Sequence, residues 1–294
     1  MVNSQAEMNE AILKTLAYFD YFGYPLKAWE IHKWLIQKKA SLKQTEKALR
    51  NLVEEKKIFK ENEFYLLRAK QNLVKKRLKG EGISKGRLFK AKLVAFLIKS
   101  IPWIKLVGVS GSLSVLASQE KDDIDLVIVT AGNRIWLSRL LLIFLTTLTG
   151  LRRKRREKLL SAAGKICINL ILETDNLAQK NKNIYIAHEV LQMRLLWQRQ
   201  QTYSRFLHDN QWVFRYLPNW KSGITEKREK RKEVRENKQN QFIDRLEELA
   251  KKLQLKIMNS PSGAERIESG ALYFHPEDKG VKVLEEYKKK TSSL

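Results

Sequence analysis

Leu106 to Thr130 reads LVGVSGSLSVLASQEKDDIDLVIVT. The spacing predicts a short strand over Leu106–Val109, a turn at Ser110-Gly111-Ser112, a short helix over Leu113–Ser118 and a second strand over Asp123–Thr130. Small residues between a strand and a helix N-terminus expose backbone N–H groups to an anion. Gly111 lets the backbone approach a phosphate without a Cβ in the way, and Ser110 and Ser112 add hydroxyl donors. Asp123 and Asp125 are two apart, so both side chains leave the same face of their strand. Paired carboxylates there can hold Mg²⁺ against a triphosphate, and a two-ion arrangement clamps an in-line displacement. Asp122 points to the opposite face, which suits a role at the turn entering the strand. Beyond the acids the strand is apolar on both faces, as a central strand is.

This combination resembles the polymerase-β-type nucleotidyltransferase superfamily. Its signature is an apolar residue, Gly, Gly or Ser, about a dozen residues, then acid–apolar–acid–apolar. Here Gly111-Ser112 is followed by ten residues and then Asp123-Ile124-Asp125-Leu126. The resemblance covers roughly residues 104–175. It implies transfer of a nucleoside monophosphate from an NTP to an acceptor with release of pyrophosphate. Ser110, Gly111 and Ser112 would bind phosphates of the NTP, and Asp123 and Asp125 would be the catalytic, Mg²⁺-ligating pair. Members of the superfamily place a third carboxylate on a later strand. The corresponding strand is Lys165–Leu172, KICINLIL, and the aligned position is Asn169. Asparagine offers Mg²⁺ a carbonyl oxygen but cannot act as a base. On an unbroken strand Glu173 shares its face, roughly 13 Å further along at about 3.3 Å per residue. Catalysis and a binding-only, degenerate nucleotidyltransferase domain therefore both stay open.

Residues 1–68 show helical spacing at Ala11, Ile12, Leu16, Ala17 and Phe19, a break at Phe22-Gly23-Tyr24-Pro25, and a second helix over Leu26–Ile36 with Trp29, Ile31, Trp34 and Leu35 on its apolar side. A third helix is N-capped by Ser41, and Ile58-Phe59 and Phe64–Leu67 flank a turn as two short strands. Helix, helix, helix, hairpin resembles a winged helix-turn-helix domain. That resemblance implies a recognition helix presenting Lys43, Gln44, Lys47 and Arg50 to nucleic acid. The same fold also serves as a protein-docking module, and no motif separates the two uses.

Residues 69–102 read as a basic connector: Lys75, Lys76, Arg77 and Lys79, then Gly80 and Gly82, then a helix over about Leu88–Lys99, able to line a groove for an anion or to lie solvated. Residues 103–222 hold the nucleotidyltransferase-like region, in which His188–Trp197 reads as a helical run, with His188 structural. Gln192 stands where a zincin helix needs its second histidine, which excludes a metalloprotease. Residues 223–294 form a charged helical C-terminal region, with Phe242, Ile243, Leu246, Leu249, Leu253 and Ile257 as one apolar stripe. The whole is expected to be α+β: a small mixed sheet flanked by helices, with a winged-helix-like domain before it and a helical tail after it.

The 57 Lys and Arg against 32 Asp and Glu leave a net charge of +25, which predicts attraction to polyanions without choosing among them. A single cysteine, Cys167, excludes a disulfide scaffold and a cysteine-built zinc site, and no secretion signal opens the chain, so a reducing cytoplasm is the expectation. Trp136–Leu151 is too short to span a membrane and contains Arg139. A buried helix is expected there, with the basic exit Arg152–Arg156. Neither the NTP, the acceptor nor the oligomeric state is written in the sequence.

Overall fold

The computed structural model describes residues 2–153, 163–220, 241–258, 266–274 and 279–292. Lys154 to Arg156, the stretch from Thr225 to position 240, Pro261-Ser262-Gly263 and His275-Pro276 lie outside the described residues. Helix α1 (Val2–Tyr21) buries Ala11, Ile12, Leu16, Ala17 and Phe19, as their spacing predicts. After the break comes a two-residue strand, β1 (Leu26–Lys27), and α2 is only Ala28–Lys33. It ends early because the N–H groups of Ile36 and Gln37 are taken by Thr15 Oγ1 (3.1 Å) and the Tyr216 carbonyl (2.7 Å). Trp29, expected on the apolar side, is 53% exposed. Helix α3 (Leu42–Glu54) starts at Ser41, whose hydroxyl accepts the Gln44 N–H. Strands β2 (Phe59–Glu61) and β3 (Phe64–Leu66) form the expected hairpin, and β1 adds to it in the order β1-β3-β2.

Helix α4 runs unbroken over Leu73–Ile98, through Gly80 and Gly82, and starts well before the helix expected over about Leu88–Lys99. Gly80 is a docking point. A Cβ there would sit 3.3 Å from the backbone of Ala117 and Ser118. Ser84 hydrogen-bonds the Gly80 carbonyl (2.7 Å) and receives the Ser118 N–H (3.1 Å). Two of the connector's arginines turn inward rather than to solvent. Arg77 donates to the Leu116 carbonyl (3.2 Å), and Arg87 to the carbonyls of Gln119 and Glu120 (2.7 Å to the latter). Long aliphatic stems let these side chains cross apolar surface and bring donors to loop carbonyls that would otherwise be unpaired.

The central sheet is built from β4 (Ile104–Val109), β5 (Ile124–Thr130), β6 (Ile166–Glu173), β7 (Arg194–Gln198), β8 (Arg266–Glu268) and β9 (Ala271–Tyr273), in the order β7-β4-β5-β6-β9-β8. Among the described strands β5 and β6 pair in parallel, and the other neighbours pair antiparallel. The four-residue α5 (Gly111–Ser114) is shorter than its sequence suggested, and α6 (Ile135–Leu148) crosses from β5 to β6. The helical run expected over His188–Trp197 is corrected: α7 is Ile184–Gln192, Met193 turns extended at ψ 122°, and β7 pairs with β4. Edge pairing to β4 satisfies backbone groups that one more helical turn would leave open on the sheet. Helix α8 (Thr202–Asp209) and a 3₁₀ turn (Gln211–Arg215) follow. The C-terminal region is more than a helical tail. Between α9 (Gln241–Met258) and α10 (Lys279–Thr291), the β8–β9 hairpin extends the sheet beside β6.

The chain is a mixed α+β fold with helices on both faces of the sheet. One face, with Leu106, Val127, Val129 and Leu172, shares a continuous core with α1, α2, α3 and α7. The other, with Val107, Ile124, Leu126, Ile128 and Ile166, packs against α4, α6 and α9. Helix α6, expected to be a buried helix, buries Trp136, Leu142 and Thr146 on one side and leaves Phe144 and Leu148 outside. No described helix is long and apolar enough to cross a membrane.

Candidate functional site

Asp123 immediately precedes β5 and Asp125 lies within it. The parallel register sets Cys167 of β6 opposite Asp125. Ligand atoms of Asp123, Asp125 and Cys167 lie within 4.8 Å of one another, all half-buried. Asp123 Oδ2 is also gripped by Arg153 Nη1 at 2.5 Å.

Further along, the register slips. Leu126 pairs with Ile168 but Val127 pairs with Leu170, so Asn169 is the extra residue of a β-bulge. The residue that the register places beside the acid pair is thus Cys167, whereas Asn169 is 4% exposed and its carbonyl accepts the Phe274 N–H. The bulge also reverses the parity of everything beyond it, which corrects the expectation that Glu173 shares the face of the acids. Glu173 pairs with Thr130 and accepts the Arg134 N–H (3.1 Å), with the N–H groups of Asn133 and Ile135 beside it. It serves the N-terminus of α6, where a carboxylate meets unpaired donors and the positive end of the helix dipole.

The turn above the acids is held closely. Gly111 has φ +60°, and a Cβ there would lie 2.8 Å from Asp125 Oδ2, so both the backbone conformation and the carboxylate below exclude a side chain. Ser110 is buried and its N–H bonds the Asp125 carbonyl at 3.0 Å. Ser112 Oγ donates to Asp122 Oδ2 (2.7 Å), which also accepts the Gln119 N–H (2.9 Å). Asp122 therefore closes the loop entering β5, and the Ser112 hydroxyl is engaged there.

Electrostatics make this a site under strain of charge. Burial, then the negative charge of Asp123, pushes the Asp125 carboxyl up to about 7, against the opposing pull of Lys279 and Arg153. Burial followed by the two acids raises the Cys167 thiol well above its ordinary range, so it stands protonated. Glu189 of α7 is also pushed up to about 7 by burial, against the opposing charge of Lys279. The sequence assigned neither Glu189 nor Arg153 to the site; Arg153 stood there only within the basic exit of a helix. Only tertiary packing brings them to Asp125, and no local spacing signals it. Two converging carboxylates, one with its proton affinity raised by the other, suit a hard divalent cation, which would relieve their repulsion. Mg²⁺ fits the pair; a protonated thiol does not suit it as a third ligand.

No family model, curated protein or solved structure matches the chain. The site's own geometry has to carry the functional reading.

On α3, Lys43, Gln44, Lys47 and Arg50 are all exposed along one face. The Gln44 side-chain oxygen accepts the Ser41 N–H (2.8 Å), which occupies it in the helix cap. Among the described residues, Lys43, Lys47 and Arg50 form no ion pair.

Proposed function

We propose that the chain is a Mg²⁺-dependent nucleotidyltransferase of the polymerase-β type joined to a winged-helix module. It transfers a nucleoside monophosphate from an NTP to an acceptor hydroxyl and releases pyrophosphate. The observation that carries this reading is the convergence of the Asp123 and Asp125 carboxylates directly beneath the Gly111 turn. Asp123 and Asp125 would hold Mg²⁺, which supplies charge neutralisation at the phosphates. The Cβ-free Gly111 turn lets a phosphate approach the backbone. Arg153, paired with Asp123, would meet phosphate charge once the cation takes the carboxylate. The element order α1, β1, α2, α3, β2, β3 with sheet order β1-β3-β2 supports the winged-helix reading of the N-terminal part. Calorimetric titration of each NTP with and without Mg²⁺ tests the proposal. Mg²⁺-dependent heat in the wild type, lost in Asp125→Ala, supports it; no heat from any NTP with a folded protein overturns it.

One feature favours a second reading, a nucleic-acid-binding protein with a non-catalytic nucleotidyltransferase domain. The strand beside the acids offers the protonated Cys167 instead of a third carboxylate, and Arg153 already neutralises Asp123. The exposed cations of α3 would then carry the activity. Binding to duplex DNA should weaken steeply with salt through counterion release, and Lys47→Glu/Arg50→Glu should flatten that dependence. An affinity that does not change with salt removes this reading.

A further inference from the structure

Helix α9 sets Ala250 and Met258 into the core but leaves most of its apolar stripe outside it. Phe242, Leu249, Leu253 and Ile257 are 68%, 63%, 50% and 69% exposed. The side toward the protein carries Glu247 and Gln254 beside Ala250 and Met258, and Ile243 and Leu246 of the stripe are half-buried. Glu247 accepts the N–H groups of Trp136 (2.8 Å) and Leu137 (2.9 Å), and Gln254 donates to the Trp136 carbonyl (2.7 Å). These bonds orient α9 on α6 and leave Phe242, Leu249, Leu253 and Ile257 on its outer side.

The neighbouring helices continue the feature. Helix α6 packs against both α4 and α9 and exposes Phe144 and Leu148. On α4, Phe89, Leu93 and Phe96 lie outward at helical spacing, opposite the buried Ala91, Val94, Ala95 and Ile98. Scattered exposed leucines need no explanation, but outward apolar stripes on three adjacent helices mark a binding face.

Charge indicates what covers it. Lys85 and Lys92 of α4 and Arg245, Lys252 and Lys256 of α9 are exposed on the same helices. Of the acids on α4 and α9, Glu81 and Asp244 are ion-paired and Glu247 is buried, leaving Glu248. An apolar stripe edged with lysine and arginine matches the interface of an anionic bilayer. Leucine and phenylalanine enter the acyl boundary while the cations reach the headgroups. A second copy of the chain would bring two +25 molecules together. Single-stranded nucleic acid would use the phenylalanines but gains no stacking face from Leu93, Leu148, Leu249, Leu253 and Ile257. We infer that the outer face of the α4–α6–α9 layer seats the protein on an anionic membrane surface, lying on the bilayer and not crossing it. This inference is independent of the chemistry at Asp123 and Asp125.

Vesicle flotation of the full-length protein tests it, with phosphatidylcholine alone and with added phosphatidylglycerol. The protein should float with the anionic vesicles and stay behind with the neutral ones. Leu249→Glu/Leu253→Glu, at exposed positions where the fold seen by circular dichroism is preserved, should lower the partition by about tenfold or more. Lys252→Glu/Lys256→Glu should lower it too. Three outcomes overturn the inference. The first is no flotation with anionic vesicles, or flotation unchanged in the leucine variant. The second is a wild-type dimer in sedimentation that the leucine variant converts to monomer, which makes the face a homotypic contact. The third is flotation abolished by a single-stranded oligonucleotide whose own binding the leucine variant loses, which makes the face a nucleic-acid platform.

Discussion

Gly111 and His188 show how much rests on single positions. A methyl group at Gly111 meets the Asp125 carboxylate and holds an L-residue in left-handed backbone, which alone costs about 1–2 kcal/mol. Gly111→Ala should lower the urea midpoint and displace Asp125, weakening Mg²⁺-dependent NTP binding more than stability. His188 is fully buried, its ring stacked on Tyr18 at 4.0 Å with Trp34 and Phe19 around it. Gln192 Nε2 lies 3.2 Å from His188 Nδ1, and His188 Nε2 has no hydrogen-bond partner among the described residues. The structural role expected for it is what the packing shows. Burial pulls its pKa down to about 3, below the ordinary histidine value, so the unfolded chain binds the extra proton. Its contribution is therefore fully present above about pH 6.5 and is lost as pH falls toward 3, at no more than about 1.4 kcal/mol per pH unit. His188→Phe should flatten the fall in stability between pH 6.5 and 5, measured by urea unfolding across that range. An equally steep fall in the variant would assign the acid limb to other groups.

Among the elements, α6 is governed by carboxylates brought from elsewhere. Glu173, at the end of β6, and Glu247, on α9, both bond its first N–H groups. Glu247→Ala should cost about 1–3 kcal/mol by leaving buried donors unpaired, whereas Leu249→Ala two residues on should change stability by no more than about 0.5 kcal/mol. Comparison of the two denaturation curves checks whether α9 is anchored by its polar side. A leucine variant as destabilised as the glutamate variant would mean the outward stripe is packed. Helix α4 is tied by the buried Arg77, which pairs with Glu30 of α2 at 3.0 Å and covers the Tyr24 ring at 4.1 Å. Arg77→Met strands a buried carboxylate and should cost about 3–5 kcal/mol, and Glu30→Gln in the same chain should restore much of that loss.

At the scale of the molecule, α1 to β3 and one face of the sheet share a single apolar core, joined by the Tyr18–His188 stack and the Tyr24 hydroxyl on the Val115 carbonyl (2.6 Å). Helix α10 closes the same side, with Lys290 and Lys70 both held by Asp20. Thermal unfolding should therefore show one transition for the N-terminal helices and the sheet together. Two resolved transitions in calorimetry would mean separately folding units. Much was legible in the sequence: the first and third helices and the core of the shorter second one, the hairpin after them, Gly111 in its turn, and Asp123 and Asp125 on one face. Each follows from periodicity or from the backbone demands of a few neighbouring residues, and these act locally. The bulge at Asn169, the capping role of Glu173, the inward turn of Arg77 and Arg87, strand β7 and the outward stripe of α9 were not legible. Each depends on which distant strand, carbonyl or helix end takes up a hydrogen-bonding group. The sequence by itself determined the acid pair, its glycine turn and the excess positive charge. Which residues stand beside that pair, and which apolar surfaces stay open, were decided only when the folded chain satisfied its buried polar groups.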